Sequence, residues 1–393
     1  MEKVEIKPGI YWVGGIDWDL TEFHGYLTQR GTTYNAYLIV DEKIVLVDTV
    51  KHYLFDEMLS RIKEIVDPSK IDIIVSNHVE MDHSGSLPMM IEVCPKAKLV
   101  TSVNGEKGLR RHYKKDWPFK VVKSGETMSI GKRDLVFVHT PMVHWPDSMV
   151  TYIPQDSLLL PNDAFGQHIA SAGRFDDTVG WEILREEAAK YYANIVFPFG
   201  EQVKKALSAL SGLKIDMIAP SHGIIWRSYI PKILEEYGKW SQNKTEEKAI
   251  IIYDSMWGST EKMAYKLQEG LTEAGVPVTM RSLKVYDTSD ILTDLLTSRL
   301  IMIGSPTLNN GYMPSIGALL TYLKGLRPKN RIGFAFGSFG WSGQAMGEIE
   351  KAMTEMGWQV PMQGLNLNYV PDPEELEKVR ECGRDIAKTI KTK

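Results

Sequence analysis

Residues 73–85 read Ile73-Ile74-Val75-Ser76-Asn77-His78-Val79-Glu80-Met81-Asp82-His83-Ser84-Gly85. The β-branched run has the character of a buried strand, and it gives way to a turn in which imidazole, carboxylate, carboxylate and imidazole fall within six positions. A single histidine after a strand is usually a satisfied or exposed side chain. Here the arrangement recurs: DLVFVHTPMVHWPDS (134–148) offers His144, SLLLPNDAFG (157–166) offers Asp163, and KIDMIAPSHGIIW (214–226) offers His222. Loops at strand ends that converge on one point are how a layered α/β scaffold assembles a metal site.

Working outward, all nine histidines lie at or before His222, so metal or acid/base chemistry belongs to the N-terminal part. That part is rich in short β runs, AYLIVDEKIVLVD (36–48), IDIIVS (71–76), KLVTS (98–102), DLVFVH (134–139) and SLLLP (157–161), an α+β or layered α/β pattern. The polar stretch from Lys239 to Lys248 reads as a linker, which puts domains at 1–247 and 248–393. Beyond it, five strand-then-helix units alternate, from AIIIYD to the helix PEELEKVRECGRDIAKTI. That rhythm predicts a doubly wound parallel sheet covered on both faces.

The first of these units carries the loop Ser255-Met256-Trp257-Gly258-Ser259-Thr260 between a strand and a helix. Backbone N–H groups at a helix N-terminus, with several hydroxyls, make a phosphate site. The loop is neither G-x-x-x-x-G-K-[ST] nor G-x-G-x-x-G, which argues against a P-loop nucleotidase and a dinucleotide fingerprint. Hydroxyls without Lys or Arg suit a terminal monophosphate and point to FMN; Ser/Thr capping of the helix is the plainer alternative. Two later loops strengthen the FMN reading, one with Pro306, Thr307, Leu308 and Asn309, the other with Ser338, Phe339, Gly340, Trp341 and Gly343. In a sheet of order 2-1-3-4-5 these strand ends adjoin the ligand crevice. Trp257 or Trp341 either covers the flavin ring or packs in a core.

Composition narrows the class. Lys+Arg total 46 against Asp+Glu 50, a net charge of -4, with 43% hydrophobic and 24% charged residues, which disfavours disorder and a basic nucleic-acid binder. No apolar run approaches a membrane span, and the N-terminal residues lack a signal-peptide pattern. Cys94 and Cys382 make neither a disulfide framework nor a C-x-x-C pair. A cytoplasmic protein without membrane or nucleic-acid partners is expected.

The loop at 78–83 has the H-x-x-x-D-H skeleton of the metallo-β-lactamase fold, with Glu80 where hydrolases of that fold mostly have a second histidine. A carboxylate there adds charge and a harder donor, which favours iron over zinc. H-x-E-x-D-H resembles the flavodiiron proteins, as do FHGYLTQRGTTYNAYLIV (23–40), HWPDSM (144–149), NDAFGQH (162–168), KYYANI (190–195) and PSHGIIWR (220–227), while residues 249–390 resemble flavodoxin. The resemblance implies a metallo-β-lactamase-like αββα domain followed by a flavodoxin-like domain. It implies one iron on His78, Glu80 and His144, a second on Asp82, His83 and His222, and Asp163 as the bridge; some members leave the residue matching His83 off the metal. It also brings His24 and Tyr192 to the substrate side of the centre. His139 and His168 match no ligand position and are expected to be structural, with His52 and His112 at the surface.

For activity, the resemblance implies reduction of dioxygen to water, nitric oxide to nitrous oxide, or both. A diferrous pair and a reduced flavin together hold the four electrons that dioxygen needs. It implies a head-to-tail homodimer, or a tetramer built from it, that sets the FMN of one chain beside the iron pair of another. With no pair of C-x-x-C motifs, an external carrier is expected, rubredoxin or a deazaflavin coenzyme. The alternatives are a dinuclear zinc hydrolase with a flavodoxin-like accessory domain, which Glu80 disfavours, and an electron carrier whose metal domain is only structural.

Overall fold

Period-two alternation sorts the residues of the N-terminal strands between two cores. In the computed structural model, which describes residues 3–391, Val45, Val47, Ile73 and Val75 point into one core. Leu46 and Ile74, between them, point into another. The strands bearing them belong to a seven-stranded sheet in the order Val4–Lys7, Ile10–Trp12, Tyr37–Val40, Ile44–Val47, Ile71–Val75, Lys98–Thr101 and Phe119–Val121. A second sheet orders Thr127–Ser129, Asp134–His139, Met149–Ile153, Leu158–Leu160 and Met217–Ile218. Leu135, Phe137, Ile153 and Leu158 of this sheet meet Trp12, Tyr37 and Val45 of the first, so the two sheets pack face to face.

Helices close both outer faces. Met58 and Ile62 from Phe55–Lys63, Met90 from Leu87–Val93 and Leu109 from Val103–Tyr113 pack on the outside of the first sheet. Val203 and Leu207 from Gly200–Leu210, with Tyr237 from Ile230–Ser241, meet Val150 on the outside of the second. The layers are therefore αββα, and the loops at the strand ends carry the histidines and carboxylates.

In the C-terminal part five strands run parallel in the order Val278–Ser282, Glu246–Tyr253, Ser298–Gly304, Ile332–Phe339, Leu365–Asn368, which is 2-1-3-4-5. Ala249, Ile251, Leu300, Met302 and Phe334 pack on Met263 and Leu267 of Ser259–Glu273 and Val379 and Ile386 of Pro373–Ile390. Ile250, Ile252, Ile301 and Ile303, which alternate with them, are equally buried. Both faces being covered, the strands read as continuous apolar runs instead of alternating ones.

The chain divides into two units: one holds the residues up to Tyr191 with Phe199–Gly238, the other Tyr192–Pro198 with the residues from Lys239 onward. The polar stretch 239–248 is not a free linker. Its first residues close the helix Ile230–Ser241 and its last open the strand Glu246–Tyr253. Trp240, Ser241 and Asn243 are buried, and Asn243 Oδ1 accepts the Lys329 N–H at 2.9 Å. Its lysines and glutamates concealed a short, packed connection. Among the described residues no helix is long and apolar enough to cross a membrane.

Candidate metal centre and phosphate-loop pocket

The strand Ile71–Val75 ends in a turn held from both sides. Buried Asp48 accepts the Asn77 N–H at 2.8 Å and its side-chain amide at 3.1 Å, and the Asn162 amide at 3.2 Å. One carboxylate thus clasps the loops that lead to His78 and Asp163. The short helix Met81–Ser84 then presents Asp82 and His83 side by side, with Ser84 Oγ tied to the Val79 carbonyl at 2.7 Å.

All seven candidate ligands meet, in two groups: His78, Glu80, His144 and Asp163, and Asp82, His83 and His222. Glu80 Oε2 lies 3.2 Å from His78 Nε2 and 3.3 Å from His144 Nε2. Asp82 Oδ2 lies 3.3 Å from His83 Nε2 and 3.1 Å from His222 Nε2. Asp163 faces both groups: Oδ2 is 3.2 Å from His144 and 3.5 Å from His78, Oδ1 is 2.9 Å from His83 and 3.4 Å from His222.

The residues fit a pair of metal ions. Both oxygens of Asp82, His83 Nδ1 and His222 Nε2 are buried without a hydrogen-bond partner among the described residues. Groups of that kind are expensive to bury unless a cation completes them. Four imidazoles and three carboxylates, with no thiolate, suit a first-row metal that accepts mixed N/O donors. Burial works against charge on His83 and His144, yet Asp82 and Asp163 beside His83, and Asp163 and Glu80 beside His144, push both imidazoles up to about 9. Burial likewise opposes ionisation of Asp163, but the histidines around it hold its carboxyl well below the usual range.

The neighbouring residues sort by contact. His24 Nε2 is 2.5 Å from Glu80 Oε1, and its half-exposed ring lines a depression of about 350 Å³ with Phe23, Lys51, Asp82 and Trp145. His112, exposed as expected, edges the same depression, and His52 is exposed elsewhere. His139 bonds the Val122 carbonyl. His168 is buried, bonds Thr32 Oγ1 at 2.6 Å, and packs 4.7 Å from the His222 ring.

Tyr192 requires a correction. It falls in the other unit and packs against Trp240 and Phe197. Of the two adjacent tyrosines it is Tyr191 whose ring lies beside the centre, 5.9 Å from His222 and 5.2 Å from His168; Tyr34, from another strand, is 5.5 Å from His222. Consecutive residues of a helix point about 100° apart, so the one-residue difference decides which side chain reaches the histidines. Asp147, which the sequence reading left without a role, is buried with Oδ2 2.8 Å from His78 Nδ1. A carboxylate three residues after a ligand was the signal available for it.

In the second unit, Gly258 caps Ser259–Glu273 with φ +86°, and its N–H donates to Ser255 Oγ at 3.1 Å. An added Cβ would meet nothing within 4 Å, so the glycine serves the left-handed backbone and not the space around it. The loop and its two partners rim a cavity of about 550 Å³ lined by Ser255, Met256, Trp257, Ser259, Pro306, Thr307, Asn309, Ser338, Phe339, Gly340 and Trp341. Gly258, Thr260, Leu308 and Gly343 do not line it. They shape the loops: Thr260 Oγ1 is 3.3 Å from Ser338 Oγ, Leu308 and Gly311 exchange backbone bonds, and Gly343 precedes Gln344–Glu355.

Trp257 and Trp341 are 92% and 90% exposed, so neither packs in a core. Asn310 and Ser342, from the same two later loops, also line it, as do Tyr369 and Val370 from the loop after the fifth strand, which were missed in the sequence. The loop lacks a cation of its own, but Lys284 Nζ reaches the Ser255 carbonyl from the end of the neighbouring strand. Thr307 Oγ1 is buried without a hydrogen-bond partner among the described residues, and the first N–H groups of Ser259–Glu273 adjoin the same cavity. Free hydroxyl and amide donors beside exposed indoles fit the phosphate and ring of a flavin mononucleotide.

A β-lactamase-type αββα unit with a dinuclear N/O donor set, joined to a flavodoxin-type sheet, defines a two-centre oxidoreductase. The model of the ODP family beta lactamases matches residues 32–223, and that of flavodoxin residues 251–383. The chain is 46% identical to the nitric oxide reductase of Moorella thermoacetica, over 99% of both chains. Its structure is similar to rubredoxin oxygen:oxidoreductase from Desulfovibrio gigas (42% identity, TM-score 0.97, 99% of this chain and 98% of that one). It is also similar to the flavodiiron protein of Giardia intestinalis (34%, 0.97, 99% and 97%). The chain belongs to the flavodiiron proteins and is an oxidoreductase.

Proposed function

We propose that this protein reduces dioxygen to two waters with four electrons and four protons, or two nitric oxide molecules to nitrous oxide and water with two of each. The observation that carries the reading is Asp163, whose two oxygens face two separate donor groups, one of which includes Glu80. His78, Glu80 and His144 would hold one iron, Asp82, His83 and His222 the other, with Asp163 between them. When bound, the iron pair supplies the redox change and the open positions for a diatomic ligand, and FMN in the second unit supplies further electrons.

The chain's own residues supply the setting. The buried carboxylates balance the charge of the metals in a dry interior, and the Asp48 clasp keeps the two ligand loops in register. His24 Nε2 lies 2.5 Å from Glu80 Oε1, and its half-exposed ring sits where the depression opens, so it can orient Glu80 and meet a ligand in that depression. Phe23 and Trp145 give the same depression apolar walls suited to an uncharged diatomic substrate.

Electrons come from an external carrier of the rubredoxin type, in keeping with the name of the Desulfovibrio gigas relative; a deazaflavin coenzyme is the other candidate donor. A head-to-tail homodimer, or a tetramer made of such dimers, brings the FMN of one chain beside the metal centre of its partner. The test is metal and flavin content of anaerobically purified protein, then reoxidation of the reduced protein by dioxygen or nitric oxide. A pair of irons and one FMN per chain with rapid reoxidation are expected. A pair of zincs that persists after iron-replete expression, with hydrolytic turnover, would overturn the reading.

A further inference from the structure

Three of the four candidate histidine ligands, His78, His222 and His83, are supported unequally at Nδ1. His78, fully buried, has Asp147 Oδ2 2.8 Å from its Nδ1. His222 has a neutral partner there, the Thr33 carbonyl at 2.9 Å. His83 has no hydrogen-bond partner at Nδ1 among the described residues. Asp147 is itself fixed: its Oδ2 accepts the Val79 N–H at 2.8 Å and its backbone carbonyl accepts Ser102 Oγ at 2.8 Å. It lies three residues after His144, so a single loop supplies one candidate ligand and supports another from a different strand.

We propose that Asp147 is a positioning residue that makes the two metal positions unequal, so that the His78, Glu80, His144 position fills first. The inference rests on reading the seven side chains as a dinuclear centre. An imidazole that donates Nδ1–H to a carboxylate keeps its Nε2 lone pair toward the ligand cluster and becomes a stronger donor. A carbonyl fixes the same tautomer without adding charge, and an unsupported ring has neither benefit. Glu80 and Asp82 give each group one carboxylate besides the shared Asp163, and buried Asp48 acts on His83 through charge without a hydrogen bond to its Nδ1, so the carboxylate bonded to His78 is what sets the two groups apart.

The experiment titrates metal-free protein with Co(II), followed by visible absorption and calorimetry. Wild type is expected to fill in two steps, the tighter of which disappears in His144→Ala. Asp147→Asn, which keeps the shape and removes the charge, is expected to weaken the tighter step about 10- to 100-fold and leave the other unchanged. Ser102→Ala loosens the same loop without touching the carboxylate and is expected to preserve both steps. Equal weakening by Asp147→Asn and Ser102→Ala would reduce Asp147 to loop packing and overturn the proposal, as would an Asp147→Asn protein with both constants unchanged. Failure of wild type to bind a pair of ions would overturn the dinuclear reading itself.

Discussion

The metal centre and the flavin pocket are both built from loops at the ends of strands, yet they are opposite kinds of site. The first is a buried knot of four imidazoles and three carboxylates, in which every group is already within reach of its neighbours. The second is an uncharged, open cavity rimmed by nearly fully exposed tryptophans. A site made of charge has to be assembled before its ion arrives, because ionised groups cannot wait in a dry interior without partners. A site made of backbone amides, hydroxyls and aromatic faces can stand open in water until its ligand covers it. Substitutions in the two should therefore fail differently: losses at the metal centre spread to stability and pH response, while losses in the flavin pocket stay with ligand affinity.

The largest effect is expected for Asp163→Asn. It removes the charge that both groups share, so metal content and turnover should fall by more than about 100-fold while FMN stays bound, as measured by metal analysis and flavin absorbance. Full metal occupancy and full turnover would dissolve the contrast between the sites.

Next comes pH. In metal-free protein His83 and His144 are raised from 6.5 to about 9. A raised imidazole pKa contributes stability that is complete below pH 6.5 and is lost as pH rises through about 9. The melting temperature of metal-free protein should fall across that window. Metal affinity should rise across it, since ions bind neutral imidazole and displace its proton. A flat melting profile without metal would show that the knot is not held by these charges.

Smaller again is Trp341→Ala. The side chain is 90% exposed, so its loss should leave the melting temperature of flavin-free protein unchanged. It should weaken FMN by about 0.5–1.5 kcal/mol, read by fluorescence titration. The smallest is a matched pair: Tyr191→Phe should perturb the spectrum of the metal-loaded protein modestly, and Tyr192→Phe should not perturb it at all. The reverse result would restore the assignment made from the sequence.

That last pair marks where the sequence stopped being legible. The parallel 2-1-3-4-5 sheet could be read because strand runs and helix periods are local; for the N-terminal half the same rhythm gave only a layered α/β pattern, and the αββα arrangement and the grouping of the seven side chains came from the resemblance, because convergence of loops from distant strands leaves no local pattern. Tyr191 and Tyr192 are adjacent, and their difference lies in helix phase at the point where Trp181–Tyr191 gives way to the wider turn Tyr192–Val196. Asp147 stood inside a quoted motif, but a carboxylate that acts through another residue leaves no spacing rule of its own. Tyr369 and Val370 follow a strand four residues long and reach the cavity by a turn, with Tyr369 at φ +54°, that no periodic pattern announces.

The division of the chain has a consequence for its biosynthesis. Tyr192–Pro198 precedes Phe199–Gly238 in sequence but belongs with the flavodoxin-like unit, where Asn194 donates to the Ser289 carbonyl at 3.2 Å and its Oδ1 accepts from the Tyr322 hydroxyl at 3.1 Å. Those residues leave the ribosome before the unit they complete, and before His222, which the other unit needs to close its donor set. The two halves are thus interleaved in time as they are made. A gene fusion that exchanges the C-terminal half at Lys239 would carry over all five parallel strands and still leave behind the peptide on which Ser289 and Tyr322 close.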